Sequence, residues 1–139
     1  RKHLTADDKK QAENDDYSSY LEQKDVEFIK SIHEVLDQNI QNSDFNIDTI
    51  AATLGLSRSA FFKKVKSLTG FAPVDLIKEF RLNKAAELLS NTDMTMTEIA
   101  YKVGFRDSGY FSKCFRKKYD MSPRDYAASK RGTNQSNIP

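Results

Sequence analysis

One pattern of small and apolar residues occurs twice in this chain and limits what it can become. Ile50-Ala51-Ala52-Thr53-Leu54-Gly55-Leu56-Ser57 leads on to Phe61, Val65, Gly70 and Pro73. Ile99-Ala100-Tyr101-Lys102-Val103-Gly104-Phe105-Arg106 leads on to Phe111, Phe115, Asp120 and Pro123. The copies lie 49 residues apart up to the glycine and 50 apart beyond it, so the second turn carries one extra residue. In each copy a helical apolar period stops at a glycine. Glycine enters the left-handed conformation that ends a helix without a Cβ clash. A basic helix follows. Two such units predict paired helix-turn-helix elements. Generic helical packing is the alternative, and matched caps in both copies argue against it.

The periodicity extends to an all-α chain of seven helices: two helix-turn-helix subdomains joined by a long connecting helix, plus an extra N-terminal helix. Residues 1–24 are polar and charged, without an apolar period, and read as a linker or tail. Asp25 is the expected cap of a helix over 25–40, within a leading segment of 25–45. Phe28, Ile29, Ile32, Val35, Leu36 and Ile40 form one face of that helix; Glu27, Glu34 and Asp37 make the other face acidic. His33 on this helix reads as a surface residue. The first unit covers 46–72. Asn46 caps a short helix and Ser57 caps the next, over 58–69, with Phe61, Val65 and Leu68 inward. Leu56 plugs the angle between them, and Ala51 is small where the two backbones must approach. Pro73, with Asp75 behind it, opens the connecting helix within 73–91, some eighteen residues or about 27 Å long. The second unit and the last helix cover 92–129. Thr95 and Glu98 have capping-box spacing, helices follow over 96–103 and 107–119, and Pro123 opens the last one. Residues 130–139 read as a disordered tail.

Composition removes several functional classes. The 139 residues contain one cysteine, Cys114, so no internal disulfide is possible. A lone cysteine fits a reducing, cytoplasmic setting. Between the inward Phe111 and Phe115 it reads as a small buried hydrophobe. His3 and His33 lie far from Cys114 and from each other, so the spacing of a zinc site is absent and no metal is expected. No apolar run approaches the roughly 18–20 residues of a membrane helix, and no secretory leader is visible. No Ser/His/Asp set or glycine-rich phosphate loop occurs, so the chain reads as a non-enzyme without cofactors. The opening at Arg1 reads as that of a fragment of something larger. The overall charge of +2 hides an asymmetry: residues 1–45 carry 6 Lys/Arg against 11 Asp/Glu, the remainder 16 against 9. The duplicated part is therefore the basic part, as expected where a polyanion is the partner.

Several runs resemble the DNA-binding domain of the AraC/XylS family of bacterial transcription regulators. They are Leu56-Ser57-Arg58-Ser59, Lys63-Lys64-Val65-Lys66-Ser67-Leu68-Thr69-Gly70 and Arg81-Leu82-Asn83-Lys84-Ala85-Ala86-Glu87-Leu88-Leu89. Val103-Gly104-Phe105, Tyr110-Phe111-Ser112-Lys113, Phe115-Arg116-Lys117 and Met121-Ser122-Pro123 carry the likeness through the second half. It covers about residues 45–128. The leading segment is also similar to the helix before this domain in the output region of bacterial hybrid two-component sensors. The AraC/XylS likeness implies double-stranded DNA as partner, and RNA polymerase as a further one. The sensor likeness implies receiver or kinase domains of the same full-length, membrane-anchored chain. No kinase or receiver motif is present.

On this reading the second helix of each unit enters a major groove and the first braces it. In the first unit Ser59, Phe62 and Lys63 are the expected base readers, and the resemblance points to the same positions. Lys63 suits guanine O6/N7, Ser59 several base edges, and Phe62 a thymine methyl. Phe62 fits a core position equally well, and both lysines also fit a solvated surface. In the second unit Ser108, Gly109, Ser112 and Lys113 face outward; Gly109 has no side chain to read with and instead allows close approach. Lys113 stands where the family usually has Arg, which weakens two-pronged reading of guanine. Phosphate contacts are expected from Arg58, Lys64, Lys66, Arg106, Arg116 and Lys117, and at the helix starts from Asn46 and Ser57. Arg81 reads as forming an intramolecular pair along its own helix. A competing reading is a helical protein–protein module that docks through the acidic N-terminal helix.

Overall fold

The computed structural model describes the backbone of residues 6–136 and the side chains of residues 19–131. Among the described residues seven helices follow in order: α1 Ala6–Gln38, α2 Ile47–Thr53, α3 Arg58–Thr69, α4 Pro73–Asn91, α5 Met96–Lys102, α6 Ser108–Tyr119 and α7 Pro123–Ser136. No strand occurs among the described residues. The chain forms two compact units, residues 1–35 and 36–139.

The caps explain why the helices of the second unit begin and end where they do. Asn46 accepts a bond from the Thr49 amide and Ser57 one from the Ala60 amide. Thr95 and Glu98 form the reciprocal capping box. The Ser122 hydroxyl accepts from the Asp125 amide at the start of α7. Each cap satisfies amides that the first helical turn leaves without partners. Gly55 and Gly104 take φ of +74° and +95° in the two turns. In the first turn the Leu56 amide bonds to the Ala51 carbonyl, and in the second the Phe105 amide bonds to the Ala100 carbonyl. The next helix then starts one residue later in the second copy, after Asp107 instead of Ser57. Arg106 is therefore the extra residue.

Two small cores flank α4, which packs on α3 near one end and on α5 and α7 further along. Ile50, Ala51, Phe61 and Val65 are buried in the first helix-turn-helix. The second core is larger. Leu82, Ala85 and Leu89 of α4 meet Ile99, Ala100, Val103, Phe111 and Phe115, with Ala127 of α7 closing it. Tilted and edge-on ring pairs run from Phe105 through Phe111 and Phe115 to Tyr119 and Tyr126. Cys114 is half-buried against this core.

Three expectations are corrected. The helix capped at Asp25 instead starts at Ala6, so residues 6–24 are helical and not an irregular tail; residues 1–5 lie outside the described residues. The segment is rich in Ala, Lys, Gln and Glu, and no Gly or Pro occurs between 6 and 38, so nothing stops the helix there. At the other end α7 runs through Ser136, into the stretch read as a disordered tail. No proline interrupts it, and one glycine, Gly132, costs a helix only about 1 kcal/mol. Residues 137–139 lie outside the described residues. Arg81, finally, does not pair along its own helix. It is buried, and its guanidinium donates to the carbonyls of Ile40, Asn42 and Val103.

Candidate nucleic-acid interface

The helices α3 and α6 have the same length, 12 residues, and the same register under the 50-residue offset. Position by position, Ser59 corresponds to Gly109, Phe62 to Ser112, and Lys63 to Lys113. Both helices bury two large apolar residues on one side, Phe61 and Val65 in α3, Phe111 and Phe115 in α6. That burial turns the intervening positions to the surface.

Ser59, Phe62 and Lys63 are exposed. Phe62 keeps 48% of its surface accessible, which removes it from the core and leaves it available to an apolar partner. A hollow lined by Ser57, Arg58, Ser59 and Phe62 lies on this face. In α6 Gly109 and Lys113 are exposed, and Ser108 and Ser112 are half-buried. Gly109, Ser112, Lys113 and Arg116 line a corresponding hollow. A Cβ at Gly109 would meet only the Asp107 carboxylate, at 3.5 Å, so local packing does not demand glycine there. Asp107 caps α6 by accepting from the Gly109 and Tyr110 amides. Among the described residues neither Lys63 nor Lys113 has an ion-pair partner.

The expected phosphate contacts Arg58, Lys64, Lys66, Arg106, Arg116 and Lys117 are all exposed. The contacts of three of them bear on how they could meet a phosphate. Arg58 pairs with Asp48 at 3.2 Å, Arg106 pairs with Asp44, and Lys66 donates to the Gly70 carbonyl at 3.0 Å. All three are surface contacts that a stronger anion can displace. The side chains of Asn46 and Ser57 serve as caps, which leaves their helix starts to offer amides.

Sequence reasoning missed Asp44 and Asp48 as partners of these arginines, and Tyr110 and Lys78 altogether. Asp44 and Arg106 stand 62 positions apart, which leaves no local pattern to read. Tyr110 is 48% exposed and packs against Phe105. The Lys78 ammonium lies 5.8 Å from the centre of its ring, and the interaction with the phenol holds that ammonium above its usual range, with burial opposing the shift. Burial lowers the Arg81 guanidinium below its usual range, and its partners are the carbonyls of Ile40, Asn42 and Val103. No group of three His, Cys, Asp or Glu suited to a metal occurs among the described residues, and no described helix is long and apolar enough to cross a membrane.

Comparison with known proteins places this arrangement. A family described as a helix-turn-helix domain matches residues 50–129. A histidine kinase of Formosa agariphila is 37% identical over 102 residues, 73% of this chain but 7% of that protein. The transcriptional activator RhaS of Escherichia coli is 36% identical over 89 residues, 64% of this chain and 32% of RhaS. The chain thus spans a small part of either relative. Among solved structures, the C-terminal domain of the response regulator yesN from Fusobacterium nucleatum superposes with a TM-score of 0.65 at 29% identity, covering 73% of this chain and 98% of that one. The DNA-binding domain of AdpA, solved with a target DNA, gives 0.69 at 30% identity, covering 76% and 93%. The chain belongs to the AraC-type helix-turn-helix family of DNA-binding transcription regulators, a family of binding domains and not of enzymes.

Proposed function

We propose that this chain reads two successive major grooves of one asymmetric DNA site. The observation that carries the reading is the pair of recognition helices of equal length and register, joined by the single 19-residue helix α4. At about 1.5 Å per residue α4 spans about 28 Å. Adding the body of each unit brings two readers to the ~34 Å of one DNA turn. Ser59, Phe62 and Lys63 read one block of bases; Ser108, Gly109, Ser112 and Lys113 read the other. The blocks differ because the paired positions differ: Phe62, suited to a thymine methyl, is matched by Ser112, suited to a polar edge. Lys64, Lys66, Arg58, Arg106, Arg116 and Lys117, with the helix starts at Asn46 and Ser57, hold the phosphates.

The likeness to part of a histidine kinase and to a response-regulator domain supports a role as the output domain of a two-component signalling protein. Receiver or kinase domains of the longer chain are then partners, RNA polymerase is a further one, and the domain works in the cytoplasm wherever the rest is anchored. Selection from random duplexes at physiological salt tests the reading. The expected motif has two unlike informative blocks centred about one helical turn apart. A palindrome, a single block or no enrichment would overturn it.

A further inference from the structure

A cavity of about 390 Å³ opens between the two readers, and nothing above gives it a role. Asn46, Asp48 and Arg58 line it from the first unit, Gly104, Phe105 and Tyr110 from the second, and Ile77, Lys78 and Arg81 of α4 contribute further lining. Its walls are mainly apolar, and three cations face one carboxylate. Asp48 is already paired with Arg58, and the Arg81 guanidinium bonds three carbonyls. The Lys78 ammonium remains. It lies 5.8 Å from the centre of the Tyr110 ring and makes no ion pair among the described residues. An occupant must therefore offer an anionic group flanked by apolar surface.

The position narrows the choice. Arg58 lines both this cavity and the hollow on the base-reading face of α3, so the two adjoin. Tyr110 follows Gly109, which lines the hollow on α6. The cavity thus lies between the readers, and the following step rests on the two-groove reading. Between two successive major grooves on one face of B-DNA lie a minor groove and the sugar–phosphate strands that border it. A phosphodiester with its deoxyribose neighbours is an anion flanked by apolar surface.

We propose that this cavity is a phosphate seat, in which Lys78, beside the Tyr110 ring, grips the DNA strand that crosses between the two base-reading helices. The ammonium contacts a phosphate oxygen, and Ile77 and Phe105 receive the sugar face. Arg58 exchanges Asp48 for the neighbouring phosphate. Being a backbone contact, the seat sets register and affinity without choosing bases.

The test uses the duplex obtained by selection and the wild-type, Lys78→Gln and Lys78→Arg chains, with thermal melts to verify folding. For Lys78→Gln the slope of log affinity against log salt should fall by about 0.9, one phosphate contact, with equal proportional loss on mismatched duplexes. Lys78→Arg keeps the charge and should keep the slope. Methylphosphonate at single positions between the two blocks should weaken the wild type at one or two phosphates and leave Lys78→Gln nearly indifferent there. A wild-type chain without sequence preference would overturn the two-groove reading and this seat with it. A selective wild-type chain whose slope and methylphosphonate profile survive Lys78→Gln unchanged would overturn the seat alone.

Discussion

Gly104 and Arg81 occupy one space between them. A Cβ on Gly104 would stand 1.3 Å from the Arg81 Nη1 atom and 2.2 Å from the Ile40 carbonyl oxygen. Glycine is required here for room as well as for its positive φ. Gly55, at the same place in the first turn, has nothing within 4 Å of a notional Cβ. The two turns should therefore respond differently to alanine. Gly55→Ala carries only the left-handed backbone penalty, about 1–2 kcal/mol. Gly104→Ala must also displace the arginine and strand three carbonyls, at a cost of about 3 kcal/mol or more. Urea unfolding of both variants measures the difference, and equal losses would mean that Arg81 is not held as described. The glycine pattern was legible in the sequence because conformation is local. The reason for Gly104 was not, because the atoms that need the space belong to residues 40 and 81.

At the ends of α3 and α6 the duplicated element solves one problem with two residues. Both C-caps are left-handed, Gly70 at φ +79° and Asp120 at φ +60°, and each amide bonds back to the residue four before it. Aspartate tolerates this region better than most residues but still meets a Cβ contact that glycine lacks. Asp120→Gly should stabilise the chain by about 0.5–1 kcal/mol, raising its thermal midpoint, and Gly70→Asp should lose a similar amount. A destabilised Asp120→Gly chain would show that the aspartate side chain contributes more than its backbone costs. Caps and breakers of this kind made five helix starts readable from the sequence: Asn46, Ser57, Pro73, Thr95 and Pro123 all stand at or beside the observed boundary. The expected start of α6 at 107 lies one residue from the observed one, though its cap, Asp107, went unread. The exception, α1, begins in a stretch without an apolar period. An apolar stripe predicts that a helix packs; its absence does not predict that a helix ends.

Across the whole molecule, the accessible faces of the candidate site were readable and its internal restraints were not. Helical spacing from Phe61 and Phe111 is enough to turn Lys63 and Lys113 outward, whereas the pairs Asp44–Arg106 and Asp48–Arg58 depend on how separate elements meet. On the proposed reading those carboxylates compete with phosphates for the same guanidinium groups. Asp44→Asn should raise affinity for every duplex two- to fivefold or so, within the ~0–1 kcal/mol of a surface pair, without changing the preferred sequence. Titration against the selected and a scrambled duplex checks this, and a gain confined to one of them would contradict it. The geometry of α4 makes a sharper demand. Inserting about five base pairs between the two blocks turns the second block to the opposite face of the duplex, since one turn takes about 10.5 base pairs. Binding should then fall to what one reader can hold, about 100-fold or more. Inserting a full turn brings the block back to the same face but moves it a further ~34 Å along the axis. Two readers on a pliable tether would regain their affinity there. Two readers fixed to one continuous helix of about 28 Å cannot reach, and the full-turn insertion should bind as weakly as the half-turn one.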